Sequence, residues 1–181
     1  MSWKINHERL QKAVDRLLSL ARVSEPPVPV EQIARLRGVQ LRCIPYEGSL
    51  AGLLLWEGGQ PVIGINALHN RLQQRFAIAH ELAHIELRHH TSIHIDRSFP
   101  LPPGARQISL KIDLSECEAS MVAGELLMPT TMLAADLREK AIDYLDETFV
   151  CSLAQRYEVS AHTMLLRLAE GYIQSSQAHF L

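Results

Sequence analysis

Two histidines four residues apart, with a glutamate directly after the first, are the residues of this sequence best suited to do chemistry. They are His80, Glu81 and His84, in the run AIAHELAHIELRHH. On an α-helix, side chains four residues apart lie on one face, so both imidazoles can bind one metal ion, with Glu81 about 100° round the axis beside them. This spacing is typical of a zinc site in which the metal activates water and the glutamate takes its proton. The motif therefore predicts a metal-dependent hydrolase.

The sequence on either side of the motif predicts a helix that is buried on nearly all sides. Burying imidazoles and carboxylates without partners costs free energy, and a bound metal removes that cost. A hydrogen-bonded structural histidine pair is the alternative interpretation, and the apolar surroundings favour the metal site. The apolar residues form two stripes, one of Leu72, Phe76, Ala79, Ala83 and Leu87 and the other of Ile78, Leu82 and Ile85.

A third protein ligand has to come from elsewhere in the chain. The downstream run SECEASMVAGELLMP contains Glu116, Cys117, Glu118 and Glu125. An acidic residue from a second helix would complete a His-His-Glu ligand set. Glu118 and Glu125 share one face of the predicted helix, whereas Glu116 and Cys117 point elsewhere. The residues alone leave Glu118 and Glu125 open as alternatives, and Cys117 is interpreted as a core thiol.

Longer stretches of the sequence resemble the ImmA/IrrE group of zinc metallopeptidases. The resemblance spans about residues 28 to 172 and includes RFAIAHELAH, ECEASMVAGELLMP and LAQRYEVSAHTMLLRL. It implies a zinc site formed by His80, His84 and Glu118, with Glu81 as the general base. Ser120 stands where the family usually has asparagine or aspartate, so the hydrogen bonding that orients the metal ligands is expected to differ here.

A second departure from that family is Val122, which stands where phenylalanine is usual. The resemblance also implies a substrate class, because family members cut helix-turn-helix repressors and so switch on mobile-element or stress genes. A repressor encoded nearby is the expected substrate, and the alternative is a non-catalytic anti-repressor or toxin-antitoxin-like binding module with a structural or vestigial metal site. Histidine ligation suits zinc, with manganese and iron as alternatives.

The elements that must position these residues follow from hydrophobic periodicity. Helical patterning predicts helices over 5–21, 30–36, 68–90 and 115–128, and two or three more toward the C-terminus. Three apolar runs, VQLRCIP, LAGLLLW and PVIGIN, predict a small antiparallel sheet. The stretch TSIHIDRSFPLPPGARQISLKIDL predicts a long loop with a short strand at ARQISLKI.

Together these elements predict one α+β domain over residues 1–181. The expected architecture is zincin-like, with a small, mostly antiparallel sheet packed on the helix of the histidine motif and further helices C-terminal to it. In such peptidases the substrate lies extended along an edge strand, and LAGLLLW or PVIGIN is the predicted edge.

Residues 146–172 have a helix-turn-helix pattern, with a turn at Glu158 to Ser160. The second helix offers few groups that could read DNA and little positive charge, so we expect this segment to belong to the helical body and not to bind DNA.

A solvated helix end is expected at His89, His90 and His94, with an accessory metal site as the alternative. An oxyanion-stabilising hydroxyl could come from Tyr144, Tyr157 or Tyr172, and the sequence does not choose among them.

Composition narrows the class of protein further. The chain has 181 residues and a formal charge of −2, so no overall positive field attracts nucleic acid. Three widely separated cysteines favour reduced thiols, and no apolar stretch is long enough to cross a membrane. These features predict a cytoplasmic protein.

Overall fold

A computed structural model describes residues 5–48, 50–89, 93–96, 114–137 and 146–178, with the backbone alone described for 93–96 and 171–178. The first part of the chain contains two helices, three strands, a third helix and a fourth strand, and the described residues after it form helices only. The helices are α1 His7–Leu20, α2 Val30–Leu36, α3 Arg71–Leu87, α4 Leu114–Leu127, α5 Thr130–Leu137, α6 Glu147–Tyr157 and α7 Ala161–Ala178. The strands are β1 Gln40–Ile44, β2 Gly52–Glu57, β3 Gln60–Asn66 and β4 Ile93–Asp96.

The four described strands form one sheet in the order β1-β3-β2-β4. The β1–β3 pair is parallel, and the β2–β3 and β2–β4 pairs are antiparallel. The hairpin between β2 and β3 turns at Gly58 and Gly59, which both have positive φ angles. The prediction of a small, mostly antiparallel sheet in an α+β fold is therefore confirmed.

The predicted edge strand is wrong. LAGLLLW and PVIGIN form β2 and β3, and each is paired on both sides, so the edges of the described sheet are β1 and β4. Strand β4 lies in the stretch predicted as loop. Its residues IHID alternate apolar and polar, but over four residues only, and the prolines that follow led to the loop prediction. The strand predicted at ARQISLKI lies outside the described residues.

Helix α3, which carries the histidine motif, is shorter than its apolar pattern. Its first turn is fixed by a capping box, in which the Asn70 side chain accepts from the Gln73 backbone N–H and the Gln73 side chain accepts from the Asn70 N–H. Its last turn is closed by Arg88, which has a left-handed conformation with φ 55°. These caps place the ends at residues 71 and 87, instead of the predicted 68 and 90.

The core lies between the sheet and the helices, and α3 runs through its centre. Leu54 of β2 and Ile63 and Ile65 of β3 face this core. On the other side of α3 lies α4, whose buried residues are Ala119, Val122, Ala123, Leu126 and Leu127. The two helices that carry the candidate metal ligands are thus held against each other by small and aliphatic side chains. In the described part of the chain, no helix has the length and apolarity needed to cross a membrane.

The C-terminal pair α6 and α7 has the predicted turn. Glu158 ends α6 in a left-handed conformation, and the Ser160 hydroxyl accepts a hydrogen bond from the Thr163 backbone N–H at 3.0 Å. Arg167 of α7 pairs with Glu125 of α4 and donates to the Thr130 hydroxyl at 2.8 Å. These contacts dock α7 on the α4–α5 junction, which agrees with the interpretation of this segment as part of the helical body.

Candidate metal centre and active site

Three side chains from α3 and α4 converge at one point. The Nε2 atoms of His80 and His84 lie 3.0 Å apart. From α4, one carboxylate oxygen of Glu116 lies 3.3 Å from His80 Nε2, and the other lies 3.5 Å from His84 Nε2. Both histidines are buried and Glu116 is partly exposed, so the group has a dry side toward the core and an open side. Among the described residues this is the group of three whose ligand atoms could hold one metal ion.

The spacing of this group fits a metal ion. Tetrahedral ligands at about 2.0 to 2.1 Å from zinc are separated from one another by about 3.3 Å. The measured separations of 3.0, 3.3 and 3.5 Å bracket that value. Two imidazoles and a carboxylate are also the ligand types of catalytic zinc sites, which keep one position open for water or substrate. The residues present therefore match both the size and the donor chemistry of such a centre.

The structure places Glu116, and not the predicted Glu118, beside the histidine pair. Glu118 instead bonds His89 Nε2 at 3.2 Å and pairs with Arg9 at 3.1 Å. Two residues apart on a helix, the two carboxylates point about 200° from each other, so α4 can turn only one of them toward His80. The assignment of Glu118 as a metal ligand stays a prediction of the resemblance that this arrangement does not support.

A signal for Glu116 was present in the sequence. The buried face of α4 contains Ala119 and Ala123, and Glu116 extends that stripe backward by three residues. A carboxylate on the apolar stripe of a helix points toward the neighbouring helix, which here is α3. Glu118 and Glu125 share a different face of the helix, and that shared face was the reason for keeping them as the candidates.

The other open candidate, Glu125, is engaged elsewhere. Its carboxylate accepts from the Thr130 backbone N–H at 2.8 Å and from the Thr130 hydroxyl at 2.9 Å, and it pairs with Arg167. These contacts tie α4 to α5 and α7. Cys117 is a free, half-buried thiol outside the metal-binding group, and Cys43 and Cys151 are free as well.

Glu81 is fully buried and faces the sheet. Its Oε1 lies against β2 at Gly52, where an added Cβ would come 3.1 Å from this oxygen and 3.3 Å from Glu81 Cγ. A side chain at this point of the strand would therefore push the Glu81 carboxylate by a few tenths of an ångström. The sheet therefore helps to fix where Glu81 stands next to the histidine pair.

Replacing Gly52 with alanine is expected to lower any hydrolysis that depends on Glu81 by about tenfold or more, because sub-ångström displacement of a reacting group is costly. Metal binding should be unchanged, since Gly52 touches none of the three ligands. Gly64→Ala is the matched control, because its Cβ would meet Leu53 Cβ at an ordinary 3.6 Å. The two variants are compared by their initial cleavage rates at equal zinc content. Equal rates would contradict the role given to Gly52.

Ser120 lies one turn after Glu116 on α4 and reaches the other side of His80. Its hydroxyl is 3.4 Å from His80 Nδ1, a long hydrogen bond. The expectation that serine would orient the metal ligand less firmly than an amide agrees with this distance. The contact still identifies Ser120 as the partner of the ring nitrogen that faces away from the metal-binding group.

Ser120→Asn is expected to tighten zinc binding by up to about tenfold, because the longer amide brings its carbonyl oxygen closer to His80 Nδ1–H. Ser120 is exposed, so the larger side chain has room. Ser120→Ala, which removes the acceptor, is expected to shift the affinity the other way. Competition against a chelating dye measures both, and an asparagine variant that binds zinc more weakly than the alanine variant would contradict this account.

His89, predicted as part of a solvated helix end, is nearly buried beside the metal-binding group. Its Nδ1 lies 3.0 Å from Nδ1 of His84, and its Nε2 lies 3.2 Å from Glu118. Burial lowers the pKa of His89, and the neighbouring Glu118 only partly opposes that shift. For His89 the solvated interpretation is wrong, because the left-handed turn at Arg88 folds the chain back over α3. His90 lies outside the described residues, and the side chain of His94 is not described.

Of the three tyrosines considered for an oxyanion group, only Tyr157 has a described side chain, and its hydroxyl is engaged elsewhere. Tyr157 is buried, and its hydroxyl donates to Asp136 at 2.8 Å. Burial and this carboxylate raise the pKa of Tyr157 far above its ordinary value. Its hydroxyl therefore has a structural partner between α5 and α6. Tyr144 lies outside the described residues, and the side chain of Tyr172 is not described.

Comparison with known proteins identifies the class to which this fold and site belong. A family model of peptidases, described as the IrrE N-terminal-like domain, matches residues 22–169. The chain therefore belongs to this family, as its resemblance to the ImmA/IrrE group implied, and it has a metallopeptidase-like domain.

One of the solved structures that match this fold is a Mycobacterium tuberculosis transcriptional regulator, with a TM-score of 0.55 and 14% sequence identity. The match covers 88% of this chain and 45% of that chain, so this chain spans less than half the length of the regulator. A search of curated proteins finds no significant match.

Proposed function

We propose that this protein is a zinc-dependent endopeptidase. The observation that supports this most strongly is the convergence of His80, His84 and Glu116, with Glu81 buried at the next position of the same helix. A family of peptidases supplies the class, and the spacing of the ligand atoms supplies the fit to a metal. Zinc is favoured by the two imidazoles and one carboxylate, although manganese and iron accept similar ligands.

In this proposal each residue has one task. His80, His84 and Glu116 would hold the ion, which when bound would act as a Lewis acid that polarises a carbonyl and lowers the pKa of water. Glu81 takes a proton from the attacking water as the C–O bond forms. It then gives that proton to the amide nitrogen as the C–N bond breaks, so that acid and amine products leave.

The geometry also supports a place for the substrate chain. Strand β4 is an edge of the described sheet and pairs with β2, where Asp96 lies opposite Gly52. Because Gly52 contacts Glu81, this edge is the one closest in the sheet to the proposed base. We propose that the substrate pairs with the free side of β4 by strand addition.

For the substrate we propose a helix-turn-helix repressor encoded near this protein, so that cleavage would derepress mobile-element or stress genes. The support is the resemblance to the ImmA/IrrE group together with the family match. A cytoplasmic site of action is part of the proposal, and the three free cysteines suit a reducing compartment.

The test is to incubate the zinc-loaded protein with the neighbouring repressor and to identify the products by mass spectrometry. We expect one or a few new termini, no cleavage with a chelator, and recovery when zinc is restored. Co-elution of intact repressor with the zinc-loaded protein would instead support the binding module with a structural or vestigial metal site. The same experiment without cleavage or co-elution would remove this repressor as the partner.

A further inference from the structure

We propose that His89 and Glu118 act as positioning residues that set the tautomer of the metal ligand His84. The inference rests on the metal centre of the proposed function and deepens it. It gives a task to the two residues whose placement sequence reasoning did not predict: the histidine expected in solvent and the glutamate expected on the metal.

The side chains of His84, His89 and Glu118 are connected by hydrogen bonds, and we call this series the relay. It leads away from the metal-binding group. Nδ1 of His84 lies 3.0 Å from Nδ1 of His89, and Nε2 of His89 lies 3.2 Å from Glu118. His84 and His89 also meet edge to face, with their ring centroids 4.9 Å apart. Both imidazoles are shielded from water, so the direction of these bonds is set by the protein.

Only one placement of the protons in this relay leaves His84 able to bind a metal. A carboxylate only accepts, so Glu118 requires a proton on Nε2 of His89. Neutral His89 then has a lone pair on Nδ1, which accepts from Nδ1–H of His84. His84 is left with a lone pair on Nε2, and in the metal-free protein this lone pair faces Nε2 of His80 at 3.0 Å, the nitrogen whose proton also satisfies Glu116 at 3.3 Å. Glu118 therefore selects, through His89, the form of His84 that can bind a cation.

Without the Glu118 carboxylate, the donor and acceptor roles in the hydrogen bond between His84 and His89 can be exchanged. His89 could carry its proton on Nδ1 and donate to His84, which would move the His84 proton to Nε2. That proton would then point into the metal-binding group and occupy the lone pair that a metal needs. Glu118 thus acts on the protonation of the metal ligand His84, from which it is separated by two hydrogen bonds.

Backbone contacts at the end of α3 bring the side chains of the relay together. The left-handed Arg88 lets the His89 backbone N–H donate to the His84 carbonyl at 3.0 Å, which folds the second ring onto the first. Arg9 of α1 also donates to Glu118 and to the Leu87 carbonyl, but from a side chain that is 45% exposed. The bonds between His84, His89 and Glu118 themselves need only α3, the turn after it and α4.

A plain ion pair between α1 and α4 is the competing explanation for Glu118. Arg9 is half-exposed, and pairs of this kind stabilise a protein little. An ion pair would also leave the bond between the two histidine rings without a purpose. The two explanations differ in one measurable property, which is the protonation pattern of His84.

The experiment measures tautomers and zinc affinity in the same variants. Two-bond proton–nitrogen NMR correlations on the metal-free protein report which ring nitrogen is protonated. We expect Nδ1–H at His84 and Nε2–H at His89, and the reverse pattern in the unaltered protein would overturn the proposal on its own. This reading does not require that any variant fold or that any substrate be known.

Glu118→Gln is the principal variant, because its amide can donate to His89 Nε2 and so permits this exchange of donor and acceptor roles. We expect a changed His84 tautomer and zinc binding weakened by about 10- to 100-fold. Glu125→Gln is the matched control on the same helix, with a side chain 16% exposed against 14% for Glu118. Arg9→Gln is the second control, because it removes the ion pair and leaves the relay, and both controls should stay within about threefold of the unaltered protein.

Besides the reversed tautomer pattern, three results with the variants would overturn the relay. The first is a Glu118→Gln variant with the zinc affinity and tautomers of the Glu125→Gln control. The second is an Arg9→Gln variant as weak as Glu118→Gln, which would assign the effect to the ion pair. The third is complete loss of zinc in Glu118→Gln with full retention in Glu116→Gln, which would make Glu118 a ligand. If the unaltered protein binds no zinc, the proposed function fails, while the tautomer pattern still decides the relay.

Discussion

Replacing Glu81 with glutamine is expected to leave zinc bound and to lower repressor cleavage by about 10²- to 10⁴-fold. Glutamine keeps the size and hydrogen-bonding reach of the side chain but cannot accept a proton from water. The side chain is fully buried and lies against Gly52. Zinc content is measured by atomic emission and cleavage by mass spectrometry on the same preparation.

The control for this experiment is the binding of intact repressor. Glu81→Gln should still retain the repressor, because the metal-binding group and the sheet edge are unchanged. Cleavage at the unaltered rate by a zinc-loaded Glu81→Gln variant would show that Glu81 is not the base. Loss of zinc from this variant would show that Glu81 acts on the metal site itself.

Replacing Glu116 with glutamine is expected to have the largest effect on the metal. Removal of a direct anionic ligand should weaken zinc binding by more than the roughly 100-fold limit typical of supporting residues. With free zinc at about 100 times its dissociation constant, binding stabilises the folded state by about 2.7 kcal/mol. We expect the unaltered protein to show this zinc-dependent rise in melting temperature and Glu116→Gln to lose most of it.

Comparison with Glu118→Gln shows which of the two glutamates is the third metal ligand. Both variants remove one negative charge from α4 within three residues, so they differ chiefly in which carboxylate faces His80 and His84. A larger zinc-dependent shift in Glu116→Gln than in Glu118→Gln would contradict the assignment of Glu116 as the third ligand.

The histidine motif and the helices could be predicted because each depends on local sequence. The pair His80 and His84 needs only one helical turn, and the capping box at Asn70 and Gln73 fixes where that helix begins. The apolar runs likewise predicted β1, β2 and β3, three of the four strands in the described part of the chain, with their hairpin. These features depend on periods of 3.6 and 2 residues that the chain carries within single segments.

The third ligand and His89 could not be chosen in that way, because both depend on how segments meet. Which carboxylate of α4 faces His80 is decided by the rotation of α4 on α3, a result of packing at Ala119 and Ala123. His89 leaves solvent because of one left-handed residue after the helix, and an arginine is not a residue that usually marks such a turn. The order of strands is equally non-local, so the edge was misassigned.

The most direct test of the metal centre is anomalous X-ray scattering at the zinc edge from crystals of the zinc-loaded protein. The account predicts one peak at about 2.0 to 2.2 Å from Nε2 of His80, Nε2 of His84 and a carboxylate oxygen of Glu116. Glu118 should remain bonded to His89 in the same crystals. A peak ligated by Glu118 with Glu116 turned away, or no peak beside the two histidines, would contradict it.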